Sequence, residues 1–262
     1  MSACTGVVFR PDFRPDTLRE TVMAAERAGI AELWLWEDCF LQGGIAQAAA
    51  ALASSETLIV GLGVLPAPLR NVVTTAMEIA TLDAMFPGRL RVGIGHGVQD
   101  WMRQAGAAVA SPLTLMREYV TALSGLLAGR SVTVDGRYVR LTDVRLDWAP
   151  QQRVPVLIGG AGPKTLTLAG GLADGVILDA QYTVDTLRDA LGHVASGRAD
   201  HGESPFNTVL FLACGADQVA ASARLYLDEG VDTLVFQPAG PQSVMAELIT
   251  AVGDVATRLQ AT

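Results

Sequence analysis

The sequence is poor in the residues that usually mark nucleic-acid or metal binding. Its 262 residues include a single lysine, Lys164, and carry a net charge of −8 at pH 7. Proteins that bind nucleic acid concentrate positive charge to contact phosphates, so we expect no nucleic-acid partner. The three histidines, His96, His193 and His201, fall on different predicted elements and lack the spacing of metal ligands. No metal site is predicted.

Long hydrophobic runs and paired cysteines are also missing. The longest apolar stretches, such as residues 45–53 and 58–65, are far shorter than the roughly 18 residues that a membrane span needs. The N-terminal residues lack the basic segment and apolar core of a signal peptide. Cys4, Cys39 and Cys214 are odd in number and far apart, as is typical of thiols in a reducing compartment. We therefore expect a cytoplasmic protein without a membrane partner.

What the sequence does contain is a regular alternation of strand and helix patterns along its whole length. Eight short apolar strands are predicted, at residues 6–9, 31–36, 57–65, 89–95, 154–158, 175–178, 208–214 and 233–236. Each is followed by a helical pattern, at residues 15–29, 44–54, 72–85, 112–129, 163–171, 184–199, 217–229 and 242–259. Such alternation predicts an α/β fold with a parallel sheet and right-handed crossovers. Eight units in about 250 residues favour a closed (β/α)8 TIM barrel, one domain over residues 1–262.

One segment interrupts the alternation. Residues 132–134 and 137–139 are two short strand-like stretches on either side of Asp135 and Gly136, a pair typical of a two-residue hairpin turn. We expect a short β-hairpin over residues 132–139. It would be an excursion after the fourth helix of the barrel, beside the mouth.

Candidate acid–base residues follow two of the predicted strands. In barrels of this type the active site lies at the carboxyl ends of the strands. Glu37 and Asp38 come after the second strand and His96 after the fourth. Adjacent residues at a strand end point in opposite directions, so one carboxylate is expected to face the mouth and the other to pack outward or cap the next helix. The residues alone leave open which one does so, and whether His96 is catalytic or a hydrogen-bonded structural residue.

Two glycine-rich segments could hold a ligand at the same end of the barrel. The fourth strand ends in Gly95, His96 and Gly97, where the backbone can approach a planar ligand closely. The fifth runs into a turn at the start of a helix, formed by Gly159, Gly160, Ala161, Gly162, Pro163 and Lys164. Helix N-termini expose unpaired amides and attract phosphate. An ordinary strand-to-helix turn is the alternative interpretation.

Taken in order, several segments resemble the luciferase-like flavin and deazaflavin oxidoreductases over nearly the whole chain. The first is A-A-E-R-A-G-I-A-E-L-W at residues 24–34, and the second is V-G-L-G-V-L-P-A-P-L-R at residues 60–70. The third combines A-T-L-D at residues 80–83 with Gly88, Arg89, Gly93, Gly95 and Gly97. The fourth is V-P-V-L-I-G-G at residues 154–160 with the A-D-G at residues 173–175. Each segment is weak alone, but four in order at this spacing are specific.

The resemblance implies a TIM barrel that binds coenzyme F-420, a deazaflavin, or FMN. It implies that Gly159, Gly160, Ala161, Gly162 and Lys164 surround the cofactor phosphate, which main-chain amides would bind. Gly63 and Val64 would form a bulge with a non-prolyl cis peptide bond behind the rings. The segment from His96 to Asp100 would lie along the ribityl and phosphate end of the cofactor.

The implied activity is hydride transfer between coenzyme F-420 or a flavin and a small organic substrate. Two alternatives are an FMN-dependent monooxygenase that uses reduced flavin and oxygen, and a non-catalytic flavin-binding protein. The chain departs from the family in having Glu37 and Asp38 where Asp-His is common, and Val98 where some deazaflavin sugar dehydrogenases have Glu. The family's His/Glu acid–base arrangement is therefore not carried over.

The resemblance also implies a homodimer, with residues 44–54 and 72–85 as plausible contact surfaces. Substrate choice would depend on the loops at the mouth, at residues 100–111 and 132–139. Four tryptophans, Trp34, Trp36, Trp101 and Trp148, could stack on a substrate or simply pack within the protein.

Overall fold

A closed ring of eight parallel strands forms the centre of the molecule, as predicted. The computed structural model describes residues 4–199 and 205–260. The barrel strands are β1 (Cys4–Phe9), β2 (Glu32–Leu35), β3 (Ile59–Pro66), β4 (Leu90–Gly95), β7 (Val156–Gly159), β8 (Gly175–Leu178), β9 (Asn207–Cys214) and β10 (Thr233–Pro238). Pairing of β1 with β10 closes the ring. Most strand residues are buried, because one face fills the barrel and the other packs on helices.

The helices surround this ring. They are α1 (Leu18–Arg27), α2 (Gly44–Ala53), α3 (Val72–Met85), α4 (Gln99–Gln104), α5 (Pro112–Leu127), α6 (Pro163–Leu172), α7 (Val184–Arg198), α8 (Val219–Leu227) and α9 (Met245–Gln260). The predicted starts at residues 15, 217 and 242 fall in 3-10 turns, Pro15–Thr17, Ala216–Gln218 and Gln242–Val244. Helix α4 was not predicted, since six residues are too few for a helical period to show in the sequence. Across residues 4–199 and 205–260, none of the helices has the length and apolar character needed to cross a membrane.

The predicted hairpin exists, but the predicted bounds of its second strand, residues 137–139, were wrong. The strands are β5 (Val132–Asp135) and β6 (Arg140–Val144), which pair antiparallel from Asp135 and Arg140. The carboxylate of Glu118, on α5, accepts hydrogen bonds from the amides of residues 137, 138 and 139 at 2.8–3.0 Å. Because these amides bind a distant side chain, they cannot take part in strand pairing, and the turn spans four residues instead of two.

Buried side chains fill the interior of the barrel. Its core consists of Val8, Trp34, Leu157, Ile177, Val209, Phe211 and Val235. The ring of Trp34 lies over Gly61, where a Cβ atom would come within 2.2 Å of it. The indole nitrogen donates to the carboxylate of Glu32 at 2.8 Å, and that fully buried carboxylate pairs with Arg91 at 2.8 Å. Trp34 is therefore a core residue and does not face a substrate.

Candidate active site

A cleft of about 650 Å³ opens at the carboxyl ends of the barrel strands. Its walls include ten of the residues predicted for the site: Glu37, Asp38, Gly63, Val64, Gly95, His96, Gly97, Gly159, Gly160 and Ala161. Gly162 and Lys164 are exposed and do not line it. The described part of the chain contains no group of three or more His, Cys, Asp or Glu residues that could hold a metal ion, and His201 lies outside that part.

The floor of the cleft is the irregular end of β3. Pairing between β3 and β4 shifts register between Leu62 and Leu65, and the Gly63–Val64 peptide bond is cis. The predicted bulge and cis bond are both confirmed. The side chain of Val64 lies against the ends of β4 and β7. A second non-prolyl cis bond, Cys39–Phe40, follows β2 and was not predicted.

The turn from β7 into α6 presents main-chain amides at one end of the cleft. Gly162 precedes the first residue of α6, Pro163, and its carbonyl accepts from the amides of Thr165 and Leu166 at 2.9 and 3.0 Å. The amides of Ala161 and Gly162 have no acceptor among the described residues. Unpaired amides at a helix N-terminus favour a bound anion such as phosphate.

His96, which follows β4, contacts the first turn of α6, beside these unpaired amides. Its Nε2 atom lies 3.0 Å from the hydroxyl oxygen of Thr165, in the first turn of α6. Its Nδ1 atom is buried and makes no hydrogen bond of good geometry with the described residues, although the Pro112 backbone lies close enough to affect the ring. Burial lowers the pKa of His96 below its usual range and outweighs the opposing effect of the Pro112 backbone, so burial favours the neutral imidazole.

The carboxylate of Glu37, at the cleft wall, is engaged in a salt bridge. It pairs with the Arg70 guanidinium through two contacts, of 3.0 and 2.5 Å, and accepts from the Gly44 amide at 2.7 Å. Arg70 also contacts Glu78 at 3.1 Å. Glu37 thus joins the loop after β2 to the start of α2 and to the loop after β3. The sequence left open which of Glu37 and Asp38 caps the next helix. Glu37 does so, because it accepts from the amide of Gly44, the first residue of α2.

Asp38 has the opposite environment. It lies in the cleft wall, half-buried, and its carboxyl group has no hydrogen-bond partner among the described residues. Burial, and to a lesser extent the nearby charge of Asp12, raise the pKa of Asp38 above its usual range. Of the three acid–base candidates, Asp38 is the one with an unoccupied carboxyl group in the cleft.

The wall also includes Trp36 and Trp101, two of the four tryptophans that the sequence analysis names as able to stack on a substrate or to pack. Eight further wall residues were given no role from the sequence: Pro66, Val98, Ile177, Asp179, Ala180, Gln181, Phe211 and Gln237. Most of them lie at or just after a strand end, and that position is the signal that could have identified them. Trp101 belongs to the unpredicted helix α4. The fourth tryptophan, Trp148, is 86% exposed and lies outside the cleft wall.

Comparison with known proteins gives a consistent result. Residues 4–251 match the family model for luciferase-like monooxygenases. The chain is 30% identical over 222 residues to a 5,10-methylenetetrahydromethanopterin reductase from Methanolobus tindarius, which covers 84% of this chain and 67% of the relative. It is 31% identical over 205 residues to an F420-dependent glucose-6-phosphate dehydrogenase from Beutenbergia cavernae, with 70% of this chain and 60% of the relative covered. The chain thus spans about two thirds, or less, of these relatives.

The fold is shared with a solved structure along its full length. An F420-dependent secondary alcohol dehydrogenase superposes with a TM-score of 0.87, covering 98% of this chain and 100% of the other. Because their sequence identity is only 18%, the comparison supports the shared barrel architecture and nothing beyond it.

Proposed function

This chain belongs to the family of luciferase-like monooxygenases, and on that basis we propose that it is an oxidoreductase that transfers hydride between coenzyme F-420 and a small organic substrate. The observation that carries the proposal is the wall that runs from Val64 to Ala161, beside which the unpaired amides of Ala161 and Gly162 lie at the start of α6. That wall offers an apolar support and an anion site at its two ends. The F420-dependent glucose-6-phosphate dehydrogenase named above, which is 31% identical to this chain, favours this cofactor over FMN.

Two nitrogen atoms support the presence of a ligand in the cleft. Trp36 and His96 both line it, and Trp36 Nε1 and His96 Nδ1 are buried without hydrogen-bond partners among the described residues. Buried polar atoms are usually paired, so a ligand with polar atoms there would satisfy both. The amides of Ala161 and Gly162 would bind its phosphate, and Val64 would support its rings.

The deazaflavin, when bound, supplies the two-electron hydride chemistry, and the protein supplies position and protons. Asp38 would hold a proton on its carboxyl group for a substrate oxygen or nitrogen, or remove one from it in the reverse direction. Glu37 would position the rim through Arg70, and neutral His96 would orient the phosphate end through Thr165.

Binding measurements test the cofactor. We expect F-420 to bind in preference to FMN, with quenching of its fluorescence, and Gly162→Pro, which removes one amide donor, to weaken binding. Preference for FMN together with oxygen consumption on reduction would favour the monooxygenase alternative. Binding without turnover for any carbonyl or alcohol tested would favour the non-catalytic alternative.

The homodimer and the cytoplasmic location are further parts of the proposal. On α2, Ala46, Ala50 and Ala53 are exposed on one side of the helix. On α3, Met77 and Met85 are 56% and 63% exposed. Such apolar surface is typical of a subunit contact. Light scattering tests the dimer, and cell fractionation tests the location.

A further inference from the structure

We propose that the cleft, with the carboxylates of Asp38 and Asp179 on opposite sides of its opening, selects uncharged or cationic substrates and excludes phosphorylated and carboxylate ones. That substrates bind in this cleft rests on the proposed function, whereas the charge of its wall does not. The substrate class inferred is a neutral or cationic molecule that presents a hydroxyl or carbonyl oxygen.

The carboxylates of the cleft wall are not matched by basic residues in that wall. Glu37, Asp38 and Asp179 line it, and no lysine or arginine does so among the described residues. The Glu37 carboxylate is balanced by Arg70. Asp38 and Asp179 have no basic partner within the described residues, so their charge is directed to whatever occupies the cleft.

Three basic residues outside the cleft wall, Arg10, Arg103 and Lys164, do not offset these carboxylates. Arg10 forms two contacts with the Asp12 carboxylate, of 3.0 and 2.6 Å, and donates to the carbonyl oxygens of Pro238 and Gly240. Arg103 pairs with Asp100 on the surface of α4. Lys164 is exposed outside the wall. An anionic substrate would therefore meet carboxylates without a compensating cation.

Among the described residues, the unpaired amides that could bind an anion beside the cleft lie at the turn from β7 into α6, next to β8, the strand that precedes Asp179. They are the main-chain amides of Ala161 and Gly162, and a bound cofactor phosphate would occupy this site under the proposed function. A phosphorylated substrate would need a second anion site. The remaining polar groups are neutral carboxamides, of Gln181 and Gln237, beside the aromatic rings of Trp36 and Phe211.

These neutral groups fit an oxygen-containing substrate. The amide nitrogen of Gln181 donates to Asp179 at 2.8 Å, which leaves its carbonyl oxygen as an acceptor. The Gln237 carboxamide and the Trp36 indole nitrogen have no partner among the described residues. Hydroxyl and carbonyl oxygens match such groups, whereas a charged phosphate or carboxylate gains nothing that offsets the repulsion.

Collisional quenching of tryptophan fluorescence in the cofactor-free protein measures this charge directly. A Trp148→Phe background removes the exposed tryptophan, and Trp34 is fully buried, so Trp36 and Trp101 report from the cleft. Iodide, caesium and acrylamide serve as anionic, cationic and neutral quenchers at low ionic strength, each normalised to free N-acetyltryptophanamide. We expect iodide to quench at least about twofold less than caesium.

Two double variants separate the cleft from the overall negative charge. Asp38→Asn with Asp179→Asn should raise iodide quenching toward the acrylamide value. Asp135→Asn with Asp147→Asn removes the same charge from exposed positions outside the cleft wall and should leave the ratio unchanged. Iodide quenching equal to or above caesium quenching, or equal effects of the two variants, would overturn the proposal.

An activity measurement with bound cofactor tests the exclusion of phosphorylated substrates independently. Protein loaded with F-420 is mixed with glucose 6-phosphate, and reduction of F-420 is followed by its absorbance. No reduction is expected, and reduction would overturn the proposal. Failure to bind F-420 would contradict the proposed function but would leave the quenching result intact, so the two failures are distinguishable.

Discussion

The side chain of Val64 occupies the space that Gly95 leaves by having no Cβ atom. A Cβ built on Gly95 would lie 2.3 Å from Val64 Cγ2, and one built on Gly159 would lie 2.5 Å from Val64 Cγ1. Both distances are far below van der Waals contact. The glycines at the ends of β4 and β7 are thus required by the residue that forms the floor of the cleft.

Alanine at either glycine should displace Val64. We expect Gly95→Ala and Gly159→Ala each to cost about 1–3 kcal/mol of unfolding free energy, as is usual when a packed site is overfilled. F-420 binding should weaken by about tenfold, because the floor moves. Thermal unfolding and fluorescence titration measure the two effects. Gly43→Ala is the control, since nothing lies within 4 Å of its Cβ position, and equal effects in the control would contradict this account.

Glu37 and Asp38 should differ in what their removal affects. Glu37→Gln breaks the charge pair with a largely buried Arg70 and should lower the unfolding free energy by about 1–3 kcal/mol. Arg70→Met should have a similar effect, because it removes the other half of the same pair. Urea unfolding of both variants measures this. A Glu37→Gln protein of unchanged stability but without turnover would instead identify Glu37 as the acid–base residue.

Asp38→Asn should reduce turnover while leaving the cofactor bound. Loss of a positioned general acid or base typically lowers the rate by about 100- to 10,000-fold. F-420 affinity should stay within about twofold, since the cofactor phosphate would bind at the opposite end of the cleft. Steady-state assays and F-420 titration compare the variant with Glu37→Gln as the neighbouring control. Normal turnover in Asp38→Asn would exclude this role.

The stability of the protein should depend on pH through Asp38. Because burial and Asp12 raise the pKa of this carboxyl group on folding, its ionisation is less favourable in the folded than in the unfolded state. The resulting penalty is absent below the unfolded pKa and develops as pH rises through the higher folded pKa. Asp38→Asn should therefore unfold like the parent at acid pH and be more stable at neutral pH. Urea titrations across this range measure the difference, and an opposite trend would refute the assignment.

The oligomeric state should depend on α3. Met77→Glu places a charge in the apolar surface that we assign to the subunit contact, and we expect the variant to be monomeric at micromolar concentration by light scattering. Leu225→Glu is a matched control on α8, where the native side chain is 50% exposed. It should leave the dimer intact. A monomeric parent protein would contradict the proposal outright.

Much of the barrel could be predicted from the sequence because the pattern of each unit is local. The bounds of α3 and β8 match the prediction, and eight units in order indicate the closed ring. The second hairpin strand could not be predicted, because its position depends on a contact with Glu118, about 20 residues earlier.

The site was predicted less completely, for a related reason. The strand-end rule and the family resemblance identified most of the cleft wall. Which of the two adjacent carboxylates is free depends on Arg70, 33 residues away in the chain, and on the Gly44 amide. Tertiary contacts therefore decide which carboxylate is free, and the residues next to Glu37 and Asp38 in the sequence do not indicate it.

The bridge from Glu37 to Arg70 and Gly44 also has a mechanical consequence. It braces one side of the rim at three points, on successive β/α units, so that side resists outward movement. Across the opening, Asp179 bonds, within the described part of the chain, only to Gln181, two residues along the same loop. Adjustment to molecules of different size should therefore take place at the Asp179 side, with the braced side acting as the fixed reference.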